Sequence, residues 1–174
     1  DSVRRIANDF GIPGDLAPGP ALALGASEAT LIEMTGAYAG ILSGGISVKP
    51  YGLDEITIVG ETSPILGRNG GLGERVMEWD NAKQLIYMMN TVIEKGSGRR
   101  AKIKYREAGG KTGTTQAMRD AWFVGFSPDL AVGVYVGFDR PKSLGYKQTG
   151  SAVAVPIFKR FMKAANINSR KIPF

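Results

Sequence analysis

The chain has 174 residues, 43% of them apolar, and a formal net charge of +6 with no cysteine and no histidine. That length fits one domain or two small ones with a real core. Without cysteine there are no disulfides or thiolate metal sites. Without histidine, proton transfer must run through lysine, tyrosine or a carboxylate, and no metal or cofactor is expected.

Residues 2–10 predict a short helix stopped at Gly11 and Pro13, and a turn-rich stretch, GIPGDLAPGPALALG, follows. SEATLIEMTGAYAGILSGG predicts a helix with Ser27 as N-cap and Leu31, Met34, Tyr38 and Leu42 on one face; Gly44 and Gly45 end it. ISVKPYGLDEITIVG carries β-branched residues broken by Pro50 and Gly52, which predicts two short strands or a hairpin, and ETSPILGRNGGLGE reads as loop. WDNAKQLIYMMNTVIEKGSG has the clearest helical period: Asp80 as cap, a stripe of Ala82, Leu85, Ile86, Met89, Val92 and Ile93, and Gly96 as terminator. Its adjacent methionines, Met88 and Met89, read as core filler.

The period then changes. Residues 106–115, 120–126 and 130–138 predict three strands, the last two joined across Ser127, Pro128 and Asp129. Leu130, Val132, Val134, Val136 and Phe138 share one face of the last. A closing helix has Val153, Ile157 and Phe161 four apart, with Pro156 tolerable only in its first turn. The class is α+β, an antiparallel three-strand meander packed against helices. It is expected as one unit over 1–174, with 1–95 mainly helical plus a small hairpin and 96–174 holding the strands and the closing helix. The basic clusters Arg99, Arg100, Lys102, Lys104 and Arg106, and Lys159, Arg160 and Lys163, carry no stacking aromatics or nucleic-acid motif; they read as solvated faces, not a nucleic-acid surface.

The chemically suggestive stretch is GGKTGTTQAMRDAWFVGF, residues 109–126. A phosphate-binding loop would need glycine at position 105, where Tyr105 stands, and a helix after the lysine. GSGRRA follows a helix, so it is a turn and not a dinucleotide fingerprint. On a strand beside a cleft, Gly109, Gly110 and Gly113 would let a ligand backbone lie close. Lys111 would supply positive charge for a carboxylate, Thr112 and Thr114 hydroxyl donors, and a backbone N–H just past Gly113 a contact for an oxyanion. Strict alternation puts Lys111 on the face opposite Thr112 and Thr114, so they converge only at an edge strand or where the strand twists. An ordinary edge strand with a lysine gatekeeper fits the same composition.

Lys-Thr-Gly is also one of three elements of the serine enzymes that recognise penicillin. GGKTGTTQAMRDAWFVGFSPDLAVGVYVGFD resembles the C-terminal half of the transpeptidase domain of class A, bifunctional penicillin-binding proteins. ALALGASEATLIEMTGAYAGILSGGISVKPYGLDEI, VIEKGSGRRA and GSAVAVPIFKRFM resemble the neighbouring elements of that family, so the similarity covers nearly the whole chain. The resemblance implies acyl transfer through a serine ester, cross-linking peptidoglycan stem peptides that end in D-Ala-D-Ala. Lys111 would bind the terminal carboxylate of such a peptide or of a β-lactam and join the proton relay. Thr112, Gly113, Thr114 and Thr115 would line the substrate, and the Thr114 N–H would form half of an oxyanion hole. Asp120 and Trp122 read as a strand-end polar residue and a core aromatic. The resemblance also implies a parent in the bacterial inner membrane facing the periplasm, the chain itself being soluble.

None of the ten serines has lysine three residues on, and none has asparagine two residues on; Ser97, with Arg100, is a near miss. The resemblance places the nucleophile, its lysine and the Ser-x-Asn serine in an N-terminal half of the same domain, which implies that this chain would be inactive alone. An unpaired sheet edge would then invite self-association. The alternatives are part of a β-lactamase or D,D-carboxypeptidase-like hydrolase, or a non-catalytic peptide-binding module.

Overall fold

The computed structural model describes residues 2–104 and 106–165. The chain orders as α1 (Ser2–Asp9), α2 (Leu31–Leu42), β1 (Ile46–Lys49), β2 (Gly71–Arg75), α3 (Trp79–Glu94), β3 (Gly109–Thr114), β4 (Ala121–Ser127), β5 (Leu130–Val136) and α4 (Val155–Ala165). The α+β class is borne out: β3, β4 and β5 form an antiparallel meander in that order, and helices cover both of its faces.

Pairings of β4 settle the two faces. Phe123, beside Val134 on β5, meets Phe158 of α4 edge-to-face at 4.7 Å. Phe126, pointing the other way, meets Tyr38 of α2 at 6.4 Å. The α4 side holds the larger core, built from Ile93, Ala101, Phe123, Val155, Phe158 and Met162. Phe123, Phe126 and Phe158 are fully enclosed, and aromatic side chains of this size dominate the burial energy of a core.

Several local expectations need correction. The cap of α2 is Thr30, not Ser27: Thr30 Oγ1 accepts from the Glu33 N–H and Glu33 Oε2 accepts from the Thr30 N–H, a reciprocal capping box. Ser27 instead accepts from the Ala17 N–H at 2.8 Å, tying the preceding loop. Glu78 occupies the N-cap of α3, and Asp80 lies inside the first turn, where a negative charge still favours the helix dipole. Met89 is half-buried, but Met88 is exposed. In α4 the inward residues are Val155, Phe158 and Met162, while Ile157 and Phe161 are about half exposed. The i, i+3, i+7 row faces the sheet, and the i+4 row read from the sequence does not.

The segment expected to be loop contains β2, which pairs antiparallel with β1 across a bulge; beyond Pro50, Ile56 makes only a single bridge, to Leu66. Gly44 and Gly45 do end α2. Both hold positive φ (76° and 90°), and the Trp79 ring lies so close over Gly44 that any Cβ there would overlap it. The basic cluster divides: Arg99 and Arg100 are exposed and Lys102 pairs with Glu94, but Arg106 is no solvated charge. Its side chain is 5% exposed and bonds Asp129 at 3.1 Å, which in turn accepts from the Ser127 hydroxyl. The expected closing unit extends into 166–174, outside the described residues.

Candidate active site

β3 is an edge strand: β4 is its one neighbour among the described residues. Its register runs Gly109↔Phe126, Lys111↔Val124, Thr112↔Phe123, Gly113↔Trp122 and Thr114↔Ala121. The next residue, Thr115, donates its N–H to the Asp120 carbonyl at 3.1 Å. In an antiparallel ladder exchanging pairs alternate with non-exchanging ones. The N–H and C=O groups of Lys111 and Gly113 therefore face β4, and those of Thr112 and Thr114 face away from it. Among the described residues no hydrogen bond takes the Thr112 or Thr114 N–H, so the edge presents backbone donors at and next to the Lys-Thr-Gly run.

Alternation also fixes the side chains. Thr112 and Thr114 stand with Phe123 and Ala121 on the α4 side; Lys111 stands with Val124 on the α2 side. The Lys111 side chain nevertheless turns to the edge, where its Nζ donates to the Thr112 carbonyl oxygen at 2.9 Å. That oxygen faces away from β4, so the ammonium sits on the open edge beside the Thr112 backbone. Lys111 is exposed, and among the described residues no carboxylate pairs with it. Cation, outward N–H and hydroxyls on one rim suit a carboxylate.

A family model described as the penicillin binding protein transpeptidase domain matches residues 16–163. The chain belongs to this family. It corresponds to the C-terminal part of the transpeptidase domain as found in class A penicillin-binding proteins. It is 40% identical over 149 residues to penicillin-binding protein 1A of Aquifex aeolicus, covering 86% of this chain and 20% of that protein. Against penicillin-binding protein 1A of Rickettsia conorii it is 35% identical, covering 100% of this chain and 24% of that one. The chain thus spans about a fifth to a quarter of the length of these relatives. Among solved structures, penicillin-binding protein 1A from Haemophilus influenzae superposes with a TM-score of 0.84 at 28% identity, covering 96% of this chain and 31% of that one. Penicillin-binding protein PonA1 from Mycobacterium tuberculosis shares the fold, with a TM-score of 0.81 at 24% identity over 97% of this chain and 50% of that one.

Within this transpeptidase fold the three threonines differ. The Thr112 hydroxyl lies 2.8 Å from that of Ser97, in the turn after α3. The Thr114 hydroxyl accepts from the Gly150 N–H at 3.0 Å. Thr115 is committed elsewhere: its Oγ1 donates to Asp120 Oδ2 at 3.0 Å and accepts from the Asp120 N–H at 2.9 Å. Asp120 Oδ1 accepts from the Tyr135 hydroxyl at 2.9 Å, so this carboxylate closes the β3–β4 connection as the strand-end polar residue expected. Trp122 is half-buried, edge-on to Tyr135 at 5.1 Å, so it is a partly open aromatic on the α2 side and not a core residue. The positions of Ser97, Gly150 and Tyr135 beside these threonines and Asp120 carry no signal in the sequence, because each contact is non-local.

Two tyrosines are held neutral. Burial pushes the Tyr38 hydroxyl up to about 12, and the hydrogen bond to Asp120 raises that of Tyr135. Neither can act as a base near neutrality. A groove of about 510 Å³ lies elsewhere, between α1, β2 and α3, lined by Ile6, Arg75, Met77, Asn81, Leu85 and Met88, with no residue of β3.

Proposed function

We propose that this chain supplies the Lys-Thr-Gly wall of a peptidoglycan D,D-transpeptidase, in which stem peptides are cross-linked by acyl transfer through a serine ester. The observation that carries the reading is the open rim of β3, where the Lys111 ammonium sits against the Thr112 carbonyl and the Thr114 N–H faces outward. The terminal carboxylate of a D-Ala-D-Ala peptide or a β-lactam would bind Lys111 and the hydroxyls of Thr112 and Thr114, by charge-assisted hydrogen bonds. With that end anchored, the preceding carbonyl lies along the strand edge. A serine oxygen attacks it, the negative charge develops on the carbonyl oxygen, and the Thr114 N–H stabilises that charge as half of an oxyanion hole. The terminal D-alanine leaves, and the amine of a second stem peptide takes the acyl group from the serine. Gly113, without a side chain, lets the peptide backbone approach. Thr115, tied to Asp120, is assigned to shape and not to contact.

The serine and its activating lysine are to come from the N-terminal half of the same domain, so the 174-residue chain alone is inactive. The longer protein belongs at the bacterial inner membrane facing the periplasm; among the described residues no helix is long and apolar enough to cross a membrane. The test is intact-mass measurement after incubation with benzylpenicillin. The chain alone is expected to stay unmodified. Co-folded with a polypeptide bearing the Ser-x-x-Lys segment, the complex is expected to gain one acyl group, and Lys111→Ala to slow that step by about 100-fold, on the scale of losing one oriented electrostatic contact. A stoichiometric adduct on the chain by itself would refute the division of labour.

A further inference from the structure

All three threonine hydroxyls are held by groups outside β3, and the chemistry of those groups fixes what each hydroxyl can do next. A hydroxyl has one proton to donate and two lone pairs to accept with. At Thr114 the partner is a backbone N–H, which can only donate, so Thr114 Oγ1 accepts from Gly150 and keeps its proton for a ligand. At Thr112 the partner is the Ser97 hydroxyl, 2.8 Å away, and either oxygen can be the donor. An anion at the rim breaks that symmetry. The chain Ser97 O–H to Thr112 Oγ1, then Thr112 O–H to the anion, is polarised in one direction and strengthens along its length. The opposite orientation turns the Thr112 proton away from the charge. Thr115 offers no such choice, since its proton is spent on Asp120 Oδ2.

We propose that Ser97 is a positioning residue for carboxylate recognition: its hydroxyl holds Thr112 Oγ1 and supplies the hydrogen bond that leaves the Thr112 proton to be donated to the bound carboxylate. The inference rests on the carboxylate-binding reading of β3 and goes one step further, to a residue outside the Lys-Thr-Gly strand. Ser97 is exposed in the turn between α3 and the Arg99–Ala101 turn, and its hydroxyl has no other hydrogen-bond partner among the described residues. Removing it therefore leaves no buried polar atom stranded, and the fold tolerates the change.

The experiment is an amide-resolved NMR titration of the 174-residue chain with N-acetyl-D-alanyl-D-alanine and, separately, with its C-terminal amide. The side-chain χ1 couplings of Thr112 are measured in the same samples. In the wild type the acid shifts the Thr112, Gly113 and Thr114 signals and the amide binds more weakly. Ser97→Ala is expected to weaken binding of the acid roughly three- to tenfold, the range of one hydrogen bond, to leave the amide unchanged, and to average the Thr112 χ1 coupling. Ser97→Thr, which keeps the hydroxyl, restores both. A merely structural role would weaken acid and amide alike. Equal affinities of wild type and Ser97→Ala for the acid, with an unchanged Thr112 rotamer, would overturn the inference and leave the carboxylate site standing. No binding of the acid by the wild type would remove the site itself and the inference with it.

Discussion

Gly150 offers a sharp test of how the strand is held. It opens the π-helical turn Gly150–Ala154 that leads into α4, and this turn lies directly against β3 and β4. A Cβ built there would come 2.4 Å from the Trp122 carbonyl oxygen and 2.5 Å from that of Gly113. Both obstacles are backbone atoms of paired strands, so neither can swing aside as a side-chain tip would. The φ of Gly150 lies outside the left-handed region, so alanine is excluded by space alone. Gly150→Ala must lift the turn, at a cost of about 1–3 kcal/mol for overpacking. Lifting it also breaks the 3.0 Å bond from Gly150 N–H to Thr114, which is worth about another 1 kcal/mol. The sum, about 2–4 kcal/mol, should lower Tm by roughly 10 °C in a chain of this size. Urea denaturation followed by tryptophan fluorescence measures it, with Trp122 beside the lifted turn. Gly52→Ala is the control: nothing lies within 4 Å of its Cβ and its φ suits alanine, so it is expected to be neutral or slightly stabilising. If Gly150→Ala unfolds at the same urea concentration as Gly52→Ala, the tight seating of this turn on the strand is wrong.

Other consequences are equally direct. Phenolate absorbance on alkaline titration should show Tyr38 ionising near 12 and Tyr135 later than an ordinary phenol. Raised folded-state values favour the neutral forms, so this stabilisation is complete below about pH 10 and is lost only as pH rises through the folded values. Asp120→Asn should bring Tyr135 back toward 10 and leave Tyr38 in place; an unmoved late-titrating pair would show that Asp120 is not the cause. Ala117, in the turn after the Lys-Thr-Gly-Thr-Thr run, holds φ 56° and ψ 20°. Relief of that left-handed backbone, less the extra freedom glycine gains on unfolding, makes Ala117→Gly stabilising by about 0.5–1 kcal/mol, and thermal denaturation showing a loss would refute it. Thr30→Ala should cost about 1 kcal/mol by removing the capping box, whereas Ser27→Ala should leave the helix content of α2 intact by circular dichroism.

How far the sequence could be read depended on which interaction sets each element. The meander was legible because strand period, turn residues and composition agree: FSPDL could hardly be anything but a tight connection. Strand β2 was hidden because GLGER has almost no β-propensity; its place is fixed by pairing with β1, a non-local contact that no local window records. The inward face of α4 was misread for a related reason. Ile157 and Phe161 are as apolar as Phe158 and Met162, and only the seating of the preceding turn on the sheet decides which row turns in. At the site, residue types pointed to Lys111, Thr112 and Thr114, but alternation alone set the lysine against the threonines.

That conflict dissolves once β3 is an edge, because a side chain as long as lysine can fold over a rim that has no neighbouring strand. The same edge position makes the backbone chemistry available. In a central strand the outward N–H of Thr114 would be spent on a ladder, and Gly113 would merely weaken the sheet. At the rim, the missing side chain and the outward donor stay accessible, and the proposed binding of an extended ligand along the strand depends on both. Arg106, five residues before Lys111, shows the converse: it folds inward and pairs with Asp129, while the Lys111 side chain is exposed. Whether a charge near this strand is neutralised is therefore set by the strand order and not by the motif, and the proposed role of Lys111 depends on that.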